Sequence, residues 1–469
     1  MRTPGMTSTL ALLALPAALL SGCGGADAAI PALSDAASAV YVAPGEHDEF
    51  YAFMSGGFSG QVSVYGLPSG RLFRVIPVFS QDAEKGYGYS EQTKALLTTS
   101  YGSIPWDDAH HPELSQTDGV PDGRWLFING NNTPRIARID LTTMETVETL
   151  EIPNSAGNHA SPFVTQNTEY TVAATRFSVP TPQEDVPISQ YREKFAGLLS
   201  FVRVDRTTGR MALAFQIRMP GYDYDLSHSG KGPPHDSSFF TSYNSEQANT
   251  LKEVNASQAD KDYIAAVNWK RAEECLAEGK ATSTPARYAH NVVGEDHIAR
   301  TSWQTRAPVL EPSTCDRMVY FLPTPKSPHG VDVDPSGEFI AAGGKLAAVI
   351  PVHSFTKMLA AIEAQAFEKT IGAIPVLQYA AILAAEVQEP GLGPLHTEFD
   401  GQGFAYTSMF LSSEITKWSL ETFEVVDRIP AYYSIGHLLI PGGDSRQPWG
   451  KYVVALNKIT KDRYLPPGP

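Results

Sequence analysis

The feature that most restricts the fold of this sequence is a short unit that keeps returning. A strand ends near an Asp or Tyr, a tight turn with Thr, Ser or Gly follows, and a second strand runs back. It reads "VYGLPSGRLFRVIPV" (Val64–Val78), "IDLTTMETVETLEI" (Ile139–Ile152), "VDRTTGRMALAFQI" (Val204–Ile217) and "WSLETFEVVDRIPA" (Trp418–Ala431). Apolar and polar residues alternate on both sides of each turn, as in antiparallel hairpins. A second pattern runs Gly, polar residue, aromatic, then alternating small and apolar residues, as in "DGRWLFING" (Asp122–Gly130), "SGEFIAAGG" (Ser336–Gly344), "GQGFAYTSM" (Gly401–Met409) and "WGKYVVALN" (Trp449–Asn457). A β-sandwich has no place for so many strands, whereas a ring of four-stranded blades does. The expected fold is all-β, a β-propeller with short helical insertions. The insertions are expected at Ser257–Gly279, with a Ser cap and Asp260 in its first turn, and at Ser354–Phe367. The segment Gln183–Pro234, rich in Pro, Gly, Ser and charge at its ends, is expected to form long surface connections.

The N-terminus reads as an export signal over residues 1–22. Arg2 is its positive end and Met6–Leu20 its apolar stretch, too short and too interrupted by Pro for a comfortable membrane span. "LSGC" (Leu20–Cys23) resembles a lipoprotein processing site, which makes Cys23 a candidate for lipidation; ordinary cleavage near Ala26–Ala28 is the alternative. Residues 23–48 form a flexible lead into one domain over 49–469. A formal charge of −15 and the lack of a basic run argue against a nucleic-acid partner. Cys275 and Cys315 allow one disulfide outside the cytoplasm but make no zinc or iron–sulfur motif. Any bound copper or iron must therefore rest mainly on histidine.

Of the 12 histidines, six share a context of nearby Gly or Pro, several just ahead of a blade's first strand: "DDAHHPEL" (His110, His111), "GNHASPF" (His159), "SPHGVDVD" (His329), "PLHTEFDG" (His396) and "SIGHLL" (His437). In a propeller such strand entries converge at one end of the axis. Neutral imidazoles gathered there suit copper, zinc, iron or nickel. Asp107, Asp108 and Asp400 are candidates to orient them. Adjacent residues of an extended strand point opposite ways, so His110 and His111 either need a bent backbone to serve one cluster or touch different metals. His47, His228, His235, His290, His297 and His353 are read as structural or surface residues.

These motifs, together with "SGGFSGQVSVYGLPSGRLFRVIPVFS", "YNSEQANTLKEVNASQADKDYIAAVNWK" and "YVVALNKITKDRYLP", resemble nitrous-oxide reductase, in its branch with Sec-type or lipoprotein-like signals, from about Glu49 onward. The resemblance implies a seven-bladed propeller, and a four-copper sulfide cluster (CuZ) for which His110, His111, His159, His329, His396 and His437 are ligands here. It implies a calcium site at Tyr243, Glu246, Val254 and Asp260, with Ser327 where the family has an asparagine. It places Lys458 near the cluster as the catalytic residue. The family's seventh histidine and its cupredoxin domain with a dinuclear copper centre (CuA) have no counterpart before Pro469, so the chain is expected to be an N-terminal portion, its last blade incomplete. The implied function is periplasmic reduction of nitrous oxide to dinitrogen and water by a homodimer fed by a cytochrome c or cupredoxin. The rival reading is a lipid-anchored, non-catalytic propeller acting as a binding scaffold.

Overall fold

In a computed structural model the protein is described over residues 35–100, 102–243, 261–288, 304–431 and 433–458. The all-β expectation holds, and the hairpins form six radial blades of three to six strands followed by a two-stranded ribbon. The inner strands are Phe50–Ser55, Ala109–Thr117, Tyr170–Ala174, Asp223–Ser229, Pro328–Val333 and Pro394–Phe399, and the ribbon is Ile435–Leu439 with Val454–Asn457. Among the described residues no helix is long and apolar enough to cross a membrane.

The blades are held together by apolar layers between successive sheets. Val62 and Val64 of blade one meet Leu126 and Ile139 of blade two, and Trp125 and Phe127 meet Val202 and Leu213 of blade three. Phe201 and Phe215 meet Phe240 and Phe321 of blade four. Ile264 and Leu322 meet Val331 and Ile340 of blade five. Ile350 and Val352 meet Phe399 and Trp418 of blade six. Ile415 then meets Ile435 and Leu438 of the ribbon. Ribbon and blade one approach through an ion pair between Lys451 and Glu49 at 2.5 Å and an edge-on contact of Phe50 with Tyr452. Between them lies a largely apolar cavity of roughly 260 Å³ that reaches the axis.

Two expectations are corrected. The first helical insertion does not span Ser257–Gly279 but runs Trp269–Ala277 with Asn268 as its cap, the side chain accepting from Arg271 N; Ser257 and Asp260 lie outside the described residues. Lys261–Asn268 is instead a strand of blade four. Tyr263, Ala265 and Val267 face blade three while Ile264 and Ala266 face blade five. A strand buried on both faces loses its polar alternation, and its apolar run then looks like a helix segment. The second insertion forms as Phe355–Glu363, capped by Ser354. Gln183–Pro234 is not a surface connection beyond its first dozen residues, since Phe195–Val204, Met211–Met219 and Asp223–Ser229 are strands. Cys275 on the first helix is bonded to Cys315, and both are buried.

Candidate metal centre

Each inner strand that carries a candidate ligand carries a β-bulge at that ligand. Two residues of the inner strand face one of its partner between Ala109 and Pro112, Tyr224 and Ser227, Pro328 and Val331, Pro394 and Thr397, and Ile435 and Leu438. A bulge bends the strand and re-aims the extra residue. It lets His110 and His111 share one space despite adjacency, their ring centroids 4.5 Å apart. The bulges of blades five and six and of the ribbon hold His329, His396 and His437. Blade three supplies His159 from the loop before its inner strand.

Five of the six imidazoles close into a ring, and His110 packs against it, its centroid 4.8 Å from His159 and 5.4 Å from His437. Centroids lie 4.7 Å apart for His111–His159, 5.5 Å for His159–His329, 4.8 Å for His329–His396, 4.7 Å for His396–His437 and 5.0 Å for His437–His111. Nitrogen donors of His110, His111 and His159 lie within 4.8 Å of one another, as do those of His329, His396 and His437. The Nε2 atoms of His111, His329, His396 and His437 are buried without a hydrogen-bond partner among the described residues. His159 Nε2 faces His110 Nε2 at 3.2 Å.

The outward nitrogens are fixed where partners are seen. His111 Nδ1 donates to the His159 carbonyl at 2.8 Å. His110 Nδ1 meets Asp108 at 3.2 Å. His329 Nδ1 donates to Asp225 Oδ2 at 2.6 Å. His159 Nδ1 lies 3.1 Å from Asp225 Oδ1 and also contacts the Asp225 carbonyl. A proton held on Nδ1 leaves the Nε2 lone pair facing inward, as a metal ligand requires. Burial, reinforced by neighbouring imidazoles and cations, holds His110, His111, His329 and His437 well below the ordinary histidine range, and pushes His396 down to about 3. Burial lowers His159 as well, against the pull of Asp225. All six are neutral near pH 7, the form that binds metal.

Asp225 is the residue that sequence reading missed. It occupies the blade-four bulge, where the other bulged strands carry histidine, and Lys345 Nζ sits 3.1 Å from its Oδ2. Burial opposes its charge, yet Lys345, His329 and His159 hold it well below the usual carboxylate range. The available signal was "YDLS", an acidic residue opening an inner strand ahead of "HSG". Of the carboxylates expected to orient imidazoles, only Asp108 does so. Asp107 pairs with buried Arg135 at 3.2 Å, and Asp400 caps its own turn through Gln402 and Phe404. His228 lines the same cavity as His111, His396 and His437, His353 is buried in blade five, His235 pairs with Glu169, and His47 is exposed. Lys458 packs along Gly436 beside His437, where a Cβ on the glycine would lie 2.8 Å from the lysine stem. Burial pushes its amine down to about 8, with Lys345 adding to the effect. Of the calcium set, Tyr243 lies under Lys345, and Ser327 has its backbone N–H on Asp262 at 2.7 Å. Glu246, Val254, Asp260, His290, His297 and Cys23 lie outside the described residues.

Buried, neutral imidazoles converging on one mouth of a propeller define a polyhistidine site suited to soft or borderline transition metals. The nitrous oxide reductase propeller repeat matches residues 428–469. The chain is 30% identical to nitrous-oxide reductase of Pseudomonas fluorescens over 98% of its own length and 68% of that protein. The matching figures are 31%, 97% and 69% for the Cupriavidus necator enzyme, and 29%, 93% and 65% for that of Stutzerimonas stutzeri. Among solved structures, a chain of Kuenenia stuttgartiensis hydrazine synthase aligns at TM-score 0.36 and 11% identity, over 79% of this chain and 93% of that one, too loosely to support any argument. This chain belongs to the nitrous-oxide reductase family, and it spans about two thirds of the length of these relatives.

Proposed function

We propose that the converging imidazoles of His110, His111, His159, His329, His396 and His437 hold a copper–sulfide cluster at which nitrous oxide is reduced to dinitrogen and water, with two electrons and two protons. The observation that carries this is the set of four buried, unpartnered Nε2 atoms, which cost free energy unless something accepts their lone pairs. They fit copper, which favours imidazole. When bound, such a cluster supplies a polarising, electron-rich metal surface for an inert linear substrate. The chain's own residues do the rest. Asp225 and Asp108 hold protons on the outward nitrogens. Lys458, near neutrality in its proton affinity, presents an N–H donor toward the oxygen end of the substrate.

The same reading makes the ribbon the inner half of a seventh blade. Electrons would enter from a CuA centre fed by a cytochrome c or cupredoxin, with the enzyme working as a periplasmic homodimer, lipid-anchored through Cys23. Tyr243, Glu246, Val254 and Asp260, with Ser327, would form the calcium site. The test is copper and sulfide analysis of chain matured in a copper-replete host, with nitrous-oxide consumption on a chemical reductant. Copper and sulfide retained through chelator washing, and lost in His329→Ala, support the proposal. A folded chain that retains neither refutes it and favours the binding scaffold.

A further inference from the structure

Opposite each bulge stands one residue of the second strand: Asn129, Thr241, Gly343, Ser408 and Leu456, each flanked by the two residues that bracket the bulge in register. Three of the five are polar, wholly buried, and bonded in one shared way. Asn129 Oδ1 accepts the N–H of His111 at 2.7 Å, and its Nδ2 donates to the carbonyl of Asn158, next to His159. Thr241 Oγ1 accepts the N–H of Leu226, next to Asp225, at 3.0 Å and donates to the carbonyl of His329 at 2.8 Å. Ser408 Oγ accepts the N–H of His396 at 3.2 Å and donates to the carbonyl of Gly436, next to His437, at 2.8 Å.

A bulge takes its extra residue out of the strand ladder, so a backbone N–H is left over in the buried interior, and an unpaired buried N–H costs about 1–3 kcal/mol. A side chain that only accepted would settle that cost. These three also donate, and always to the ligand segment of the next blade. Ser, Thr and Asn are the short side chains that combine both roles.

We infer that Asn129, Thr241 and Ser408 are positioning residues that clasp consecutive ligand segments around the ring. They set the angular spacing of the imidazoles more finely than apolar layers, which are non-directional. The remaining steps are made otherwise. At blade five the position is Gly343, and the Leu395 carbonyl of the next ligand segment packs where a Cβ would stand. From blade three to four His159 itself reaches the Asp225 carbonyl. At the ribbon Leu456 faces the cavity beside blade one.

The inference extends the copper reading but is testable apart from it. Thr241→Val keeps the shape and removes both bonds, Thr241→Ser keeps both bonds, and Ser238→Ala removes a buried hydroxyl of the same strand whose hydrogen-bond partner, Ser229 at 3.3 Å, lies on the inner strand beyond the bulge. In the metal-free full chain, amide hydrogen exchange at Leu226 is expected to speed up roughly 10-fold or more in Thr241→Val. It should be restored in Thr241→Ser and unchanged in Ser238→Ala. In the copper-loaded chain, Thr241→Val alone should alter the visible and EPR spectra of the site, with Thr241→Ser restoring them. Equal melting-temperature losses in Thr241→Val and Ser238→Ala, with exchange and spectra unmoved, would overturn the inference. A wild type that takes up no copper but shows the exchange pattern keeps the clasp and sinks the copper reading instead.

Discussion

Replacing Asp225 by alanine removes an acceptor shared by two ring histidines and Lys345. The carboxylate is 1% exposed, so water does not replace it. Bonds to a buried charge are worth about 1.5–3 kcal/mol each, and removing one partner of a buried ionic set costs about 3–5 kcal/mol in all. The two histidines should not suffer alike. His159 retains the Asp225 main-chain carbonyl, which the substitution leaves in place, whereas no other acceptor for His329 Nδ1 is seen among the described residues. His329 is then free to move its proton to Nε2 and cease to be a ligand. Loss of such an outer partner typically costs about 10–100-fold in metal affinity. Asp225→Asn should be milder, because its amide oxygen can turn toward His329 while its NH2 faces His159. Cu(I) affinity by chelator competition, with ring-nitrogen NMR of the metal-free chain for the tautomers, should rank wild type above Asp225→Asn and Asp225→Asn above Asp225→Ala. Wild-type affinity in Asp225→Ala, or an altered His159 with His329 intact, would refute the reasoning.

Other consequences follow from single contacts. Lys458→Gln should leave copper content near wild type but lower turnover roughly 10²-fold or more, as for loss of a proton donor; a proportional loss of copper would make the lysine structural. The His235–Glu169 pair raises the His235 pKa, chiefly through the hydrogen bond itself. Its stabilisation, about 1 kcal/mol or less, is present in full below the unfolded value near 6.5 and fades as pH rises through the folded one. His235→Gln should therefore lower the melting temperature more at about pH 6 than at about pH 8.5, and an equal loss at both would contradict it. Opening the Cys275–Cys315 bond, which spans a separation of 40 residues, should cost about 4 kcal/mol by the chain-entropy estimate, seen as a lower denaturation midpoint in Cys315→Ser. Gly330→Ala should sharply cut soluble yield, since its Cβ would run into the Leu395 carbonyl; normal yield and melting would show that blade six can retreat.

How far the sequence could be read depended on where each constraint lay along the chain. The hairpins of blades one, two, three and six were legible because alternation and turn residues are local. The strand Lys261–Asn268 was not, because both its faces are covered by blades built from distant sequence. The six histidines could be grouped by their shared Gly and Pro setting, and the need for a bent backbone at His110–His111 followed from strand geometry. The bulge that supplies the bend could not, since a bulge exists only against a partner strand. Asp225 was missed because it does a ligand neighbour's work without being a histidine. Asn129, Thr241 and Ser408 look like any polar residue in a strand until the register sets each opposite a bulge. The pairing of Cys275 with Cys315 stayed open until a helix and a loop came together.

Copper K-edge X-ray absorption on the chain loaded in a copper-replete host addresses the central claim directly. Convergence of the six imidazoles on one cluster predicts imidazole nitrogen and sulfide sulfur in the first shell, short copper–copper distances, and loss of those distances in His329→Ala and His396→Ala. Isolated copper with nitrogen and oxygen neighbours only, unaffected by either substitution, would contradict it.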